Sequence, residues 1–351
     1  MKPSIVLLLL MVLSIVSCRQ IDSQVVTDWD LSFGESQKIT SVPCMDEELI
    51  LGSPLLLQYA DSSLLIYDHL ADSLFLLVDL ADNNRIYRFG QRGQGANDFL
   101  QVFSFCRTES DSVIGVYDAY RHHLRELNLH QVKKMPAAFP VLAEDTVLSF
   151  KLFSTKYGDY LGTGFYGKGI LSLAQKGQGT RFYFEYPYRD KKEKEITNQL
   201  RALAYQGEWC VNPSLDKCLY AVRNAPIIMI FSVTETGVEK KYEWIAGYPE
   251  YKPEKNESYS AAPMSADNKL SFISAYVTDK FIYLAYSGKS IREAQTDAFQ
   301  TNVIYQLSWD GKPVRKLELD FMISKFCVTD DDKCMYAMAN KGELELVKYE
   351  L

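Results

Sequence analysis

Apolar residues along this chain fall in short runs of four to eight, separated by polar turns. Within Leu55–Phe99 the runs are Leu55–Tyr59, Leu64–Tyr67, Leu74–Leu80 and Arg85–Phe89. A turn-rich exit, Gly90-Gln91-Arg92-Gly93-Gln94-Gly95-Ala96-Asn97-Asp98-Phe99, follows. Four short strands and an irregular exit describe one blade of a β-propeller. The unit recurs. Asp61 precedes Ser-Ser-Leu-Leu-Ile-Tyr and Asp111 precedes Ser-Val-Ile-Gly-Val-Tyr, and the same register fits Asp159, Asp216, Asp279 and Asp332. Each aspartate sits in a polar turn, where its side chain can bond nearby backbone N–H groups. The separations are 50, 48, 57, 63 and 53 residues, a spacing that suits blades with insertions. The runs lack the 3.6-residue period a helical solenoid needs.

The pattern predicts an all-β, six-bladed propeller over residues 36–351. Its blades lie near Leu55–Phe89, Val102–Val141, Val147–Tyr186, Glu208–Ile245, Leu270–Leu319 and Lys325–Tyr349. The last has only three good strands, Lys325–Val328, Cys334–Met338 and Leu344–Tyr349. Gln37–Val42 is expected to supply the fourth and so close the ring, which leaves no unpaired edge. Asp190–Leu203 reads as a short amphipathic helix between blades, with Ile196, Leu200 and Leu203 on one face. Ala246–Asn268 and Ser287–Gln300 read as further insertions. In propeller topology these and the Gly90–Phe99 loop share the face of the blade-joining loops, where repeat proteins often bind.

The first 17 residues have a different pattern. Lys2 precedes an apolar run from Ile5 to Val16 and then Ser17-Cys18, the layout of a secretory signal. Ile15-Val16-Ser17-Cys18 resembles a bacterial lipobox, which implies cleavage before Cys18 and lipid attachment to its sulfur. Residues 18–35 are then a lipid-anchored tether. No acidic cluster follows Cys18, so the periplasmic face of the outer membrane is favoured over the cell surface. The formal net charge of −7 argues against nucleic acid as a partner. A monomer is expected.

Six cysteines remain beyond Cys18. Cys210 and Cys218 flank one turn and Cys327 and Cys334 another, so each pair is either a cross-strand disulfide or two buried thiols. Their spacing suggests no zinc site, and no metal or other cofactor is expected. No Gly-x-Ser-x-Gly elbow is present, and no catalytic residue stands out. His69, His122, His123 and His130 are read as surface or turn residues.

Two local patterns carry resemblances. Asp118-Ala119-Tyr120-Arg121-His122-His123-Leu124 resembles the Asp-x-x-Asn/His-x-x-Ile pattern of NHL-type propellers. The exit loop, Gly90 to Phe99, resembles one in the six-bladed TolB-like propeller lipoproteins of Bacteroidetes, which reads roughly Gly-x-Arg-Gly-x-Gly-Pro-x-Glu-Phe. Here Ala96 stands for the usual Pro and Asp98 for the usual Glu. The resemblance implies the fold and an envelope location, and no general activity.

Candidate binding residues follow from the loop and the register. Three glycines in the loop could let N–H groups converge on an anion, with Arg92 pinning a carboxylate beside Asn97 and Asp98. Alternatively, Arg92 and Asp98 pair with neighbouring blades and Phe99 plugs a seam. Seven residues after each turn aspartate lie Asp68, Asp118, Tyr166, Arg223, Tyr286 and Ala339. All but Ala339 are candidate contacts, although capping of their own turns is the favoured reading for Asp68 and Asp118. The function that fits is a non-catalytic binding or scaffold module for an envelope protein, peptide or glycan. The alternative is a propeller enzyme of lactonase-like hydrolase or lyase type. The lactonase class holds a divalent cation on axial Asp, Glu and Asn oxygens, and no matching set is legible.

Overall fold

A computed structural model describes residues 24–45, 49–134, 138–255 and 260–351. The leader, Cys18 and the start of the tether lie outside them. Four separate four-stranded antiparallel sheets form blades one to four. Blade one is β3–β6 (Pro54–Ala60, Ser63–Asp68, Phe75–Asp79, Arg85–Phe89) and blade two β7–β10 (Val102–Arg107, Val113–Asp118, His123–Asn128, Val141–Glu144). Blade three is β11–β14 (Lys151–Ser154, Tyr160–Thr163, Leu171–Gln175, Gly179–Tyr183) and blade four β15–β18 (Gly207–Val211, Lys217–Val222, Ile227–Thr234, Gly237–Ile245).

Blades five and six form one eight-stranded sheet. β19 (Glu254–Lys255) and β20 (Ser260–Ala261) pair between blades four and five, and blade five is β21 (Phe272–Val277), β22 (Phe281–Tyr286), β23 (Thr301–Ser308) and the first half of β24 (Pro313–Val328). The second half of β24 is the innermost strand of blade six, followed by β25 (Cys334–Asn340) and β26 (Leu344–Glu350). A register shift between Ile323 and Lys325 marks the passage.

The six turn aspartates all fall between the first and second strands of their blades. Asp61 and Asp332 adopt positive φ there, a conformation that Asp tolerates better than most residues. Apolar runs become strands because each side chain finds a neighbouring blade. One buried cluster joins blades one and two, another blades two, three and four, and another blades five, six and one.

The closing segment divides. β1 (Gln37–Ile39) lies parallel to the blade-five half of β24, Gln37 opposite Leu317. Only β2 (Val42–Pro43) completes blade six, Val42 opposite Lys348 and Pro43 opposite Val347. The expected closure over Gln37–Val42 is therefore made by its last residue and Pro43. A proline fits there because an edge strand needs no N–H on its outer side.

Part of the expected tether is docked. Residues 24–31 are helical, and Trp29 and Phe33 are buried at the seam of blades four and five. Trp29 stacks on Trp244, ring centroids 4.8 Å apart, and Asp30 pairs with Lys316 at 2.7 Å. The single helix expected over Asp190–Leu203 is two, Lys191–Lys194 and Asn198–Ala204. Thr197 caps the second by accepting from the Leu200 N–H.

Deleting Gln37–Pro43 uncovers the outer edges of both halves of the eight-stranded sheet. The expected result is loss of the cooperative thermal transition; an unchanged melting temperature would contradict closure by this segment.

Candidate functional site

The glycine-rich exit loop spends its polar groups on the protein. Gly95 N–H donates to Asp98 Oδ2 at 2.8 Å and Gln91 Nε2 to Asp98 Oδ1 at 2.9 Å. Gly93 N–H donates to the Phe99 carbonyl and Phe99 N–H to that of Gln91. A Cβ at Gly93 or Gly95 would collide with the Asp98 carboxylate. The loop carbonyls face two arginines of blade two. Arg121 donates to Gly93 O (2.9 Å) and Gly95 O (3.2 Å). Arg125 donates to the carbonyls of Ala96, Asp98 and Phe139 and covers the Phe99 ring at 4.6 Å. Phe99 is fully buried between Phe75 and Phe139. Arg92 is exposed and donates to the His69 carbonyl, and Asn97 accepts from the Phe139 N–H. These N–H and carbonyl groups bond within the protein, so the loop fastens blade one to blade two.

The register residues divide by blade. Asp68 accepts from Gly52 and Ser53 N–H, and Asp118 accepts from Leu100 and Gln101 N–H. Both are buried and anchor the entry of their blade's first strand. Tyr166 is buried, its hydroxyl bonded to Ser149 and Ser172. Tyr286 packs on Phe272 and Tyr305. Of the candidates, Arg223 alone pairs with the axial Glu208. The four histidines do not gather: His69 contacts the Ser53 carbonyl, His122 sits in a turn, His123 lies on β9, and His130 pairs with Asp61.

All six cysteines of the described residues are free, so the disulfides considered for Cys210–Cys218 and Cys327–Cys334 are not formed. Cys218 lies opposite Val211, not Cys210, and neighbours on a strand face opposite ways. Cys327 lies opposite Tyr336, two residues beyond Cys334, and such diagonal positions lie about 7–8 Å apart. Burial pushes the Cys106 thiol up to about 11 and that of Cys210 to about 12.

The charged centre is elsewhere. The first strands of the blades line a narrow axial channel of about 90 Å³, with Lys151, Glu208 and Lys325 among its lining residues. Glu208 is bonded by Lys151 Nζ at 3.1 Å and Arg223 Nη2 at 3.1 Å, and Lys325 Nζ lies 3.7 Å away. Burial alone would raise the Glu208 carboxyl pKa; Lys151, Lys325 and Arg223 outweigh it and hold the carboxyl well below the usual range. Burial lowers the Lys325 ammonium, against the pull of Glu208. These residues carry a signal in the sequence. Lys151 and Glu208 lie eight residues before their turn aspartates and Lys325 seven before its own. Counting backwards along the same register finds them.

A second cavity of about 370 Å³ opens beside this centre, on the face of the blade-joining loops. Phe103, Phe150, Phe165, Tyr186, Tyr205 and Trp209 wall it, together with Lys151 and Arg223. The helical insertion holds the outer wall in place. Asn198 donates to the carbonyls of Tyr166 and Gly169 and accepts from Tyr186 N–H. Tyr205 donates its hydroxyl to the buried Glu193 at 2.9 Å. Six aromatic rings and two cations thus surround one space on this face.

A family model of TolB-like 6-blade propeller-like proteins matches residues 32–331. The chain belongs to this family. Among curated proteins no sequence matches this TolB-like propeller. Two solved structures are similar to it in fold. One, described as an exported protein of Bacteroides fragilis, has 9% identity and a TM-score of 0.52, covering 89% of this chain and 94% of its own. The other is regucalcin, a calcium-binding protein of Agrobacterium tumefaciens, with 9% identity, a TM-score of 0.52, and coverage of 90% and 95%.

Two outcomes follow for this TolB-like propeller. Arg125→Ala removes three charge-assisted bonds from a side chain that is 3% exposed and is expected to cost roughly 3 kcal/mol in denaturant unfolding. A cost near zero would mean that the loop is not fastened this way. The depressed Glu208 carboxyl contributes stability that is present above the unfolded-state pKa and is lost as pH falls toward the folded one. The stability advantage of the native chain over Glu208→Gln is therefore expected to shrink between about pH 6 and about pH 3; a constant difference would contradict this.

Proposed function

We propose that this propeller is a non-catalytic binding module of the cell envelope that takes its ligand in the aromatic and cationic pocket between blades two, three and four. The pocket itself carries the reading. Apolar walls with a few convergent polar groups are the usual form of a ligand site. Here three phenylalanines and Trp209 meet Lys151 and Arg223 in one space of about 370 Å³. The leader residues Lys2 and Ile5–Val16 and the lipobox-like Ile15–Cys18 support export and lipid attachment at Cys18. That would leave the module on a membrane surface, with the periplasmic face favoured. None of the described helices is long and apolar enough to cross a membrane. The ligand would be an envelope protein, peptide or glycan component.

The axial donor set argues against the lactonase-type alternative. Such a site gathers carboxylate and amide oxygens around a cation. Here two ammonium groups and a guanidinium surround Glu208, so a divalent cation would meet like charge.

Gln206 is exposed and borders the pocket, so Gln206→Trp would plug it without touching the core. The full chain, incubated with envelope extract and with glycan and peptide arrays, is expected to retain a ligand that the Gln206→Trp protein does not. Arg92→Ala is expected to retain it. Equal retention by native and plugged proteins would remove the pocket from the function.

A further inference from the structure

The pocket places an apolar wall next to an incompletely neutralised cationic floor. Phe103 and Phe150 stack, planes 16° apart and centroids 5.8 Å apart, and Phe165 meets Phe150 edge-on at 4.0 Å. On the floor, Lys151 and Arg223 share with Lys325 of the adjoining axial channel the single carboxylate of Glu208. An ammonium has three donors and a guanidinium five. Lys151 and Arg223 each direct one hydrogen bond to Glu208, and their side chains are 20% and 35% exposed. Donors thus remain for a second anion at the mouth. On the wall, Tyr205 commits its hydroxyl to Glu193. The volume lies near the lower end of the roughly 300–1,000 Å³ of ordinary ligand pockets.

We infer that the pocket selects an amphiphilic carboxylate, its apolar group against Phe103, Phe150 and Phe165 and its carboxylate on Lys151 and Arg223. This rests on the reading of the pocket as the ligand site and adds the chemistry it selects. Two sources present that chemistry: the free C-terminus of a peptide ending in an apolar residue, and a small aromatic or aliphatic acid. Glu208 acts here as a spacer that holds three cations together and leaves them positive in sum.

The test is titration calorimetry on the full chain. The probes are N-acetylphenylalanine, its amide, octanoate, and a short peptide ending in Phe with a free or an amidated terminus. The acids are expected to bind at least about 10-fold more tightly than their amides, the size of a lost charge-assisted bond. Arg223→Gln is expected to bring the acid down to the level of the amide, with an unchanged circular dichroism spectrum. Where it folds, Glu208→Gln is expected to tighten the acid, because it releases donors from all three cations; a merely structural role for Glu208 would loosen it. Tighter binding of the free-terminus peptide than of octanoate points to a peptide source, and the reverse order to a small acid. Equal binding of acid and amide, both lost in Gln206→Trp, would overturn carboxylate selection and leave the pocket reading standing. Binding of none of these probes by the native chain would also overturn the selection. Capture of envelope ligand undiminished in Gln206→Trp would instead overturn the pocket reading.

Discussion

Each blade of this protein has one apolar face too many to stand alone, and each buries it on the next blade. That constraint can be met by every blade only if the last one reaches the first. The apolar clusters follow the rule, since each spans two or more blades. The backbone obeys it through two residue pairs at β2 and β26. Only a closed ring brings the first strands of blades three, four and six to a common axis. Lys151, Glu208 and Lys325 meet there for that reason, and the pocket floor is a product of closure.

The exit loop shows how the same constraint shapes a signature that looks functional. Gly93 and Gly95 are small because the Asp98 carboxylate folds back over them. Arg121 and Arg125 are cations because loop carbonyls point at them. The loop turns four of its carbonyls toward blade two, so it recruits arginines there. Asp68 and Asp118 repeat the theme with the opposite polarity, each collecting two N–H groups where a first strand begins. Blade joints in this protein are written in charged side chains bonded to backbone.

Much of the fold was legible because its determinants are local. A turn aspartate, a short apolar run and a polar gap are read within ten residues, so the strands of blade one fall where the pattern put them. Ring closure was legible in outline, because a three-stranded final blade must be completed from somewhere. Its division into β1 and β2 was not, since parallel pairing with Leu317–Leu319 leaves no mark on Gln37–Ile39. Nor was the docking of Trp29, which needs Trp244 and Tyr305 from distant strands. The site was the least legible part. Arg223 was found as a position in a register, and its partner Glu208 lies on the neighbouring strand of the same blade, but Lys151 and Lys325 meet that carboxylate only because blades three and six converge on it. The direction of a loop's hydrogen bonds is likewise absent from a list of glycines.

The 16-residue strand β24 belongs to two blades at once. Its first half is bonded to β23 and its second to β25, so one continuous strand joins blade five to blade six. Elsewhere the blades are separate sheets, joined by side-chain packing and by isolated backbone bonds such as Lys156 N–H to the Leu215 carbonyl. Local opening in proteins follows contiguous cooperative units. Two of the six blades thus share one sheet, a larger candidate for such a unit than any single blade among one to four.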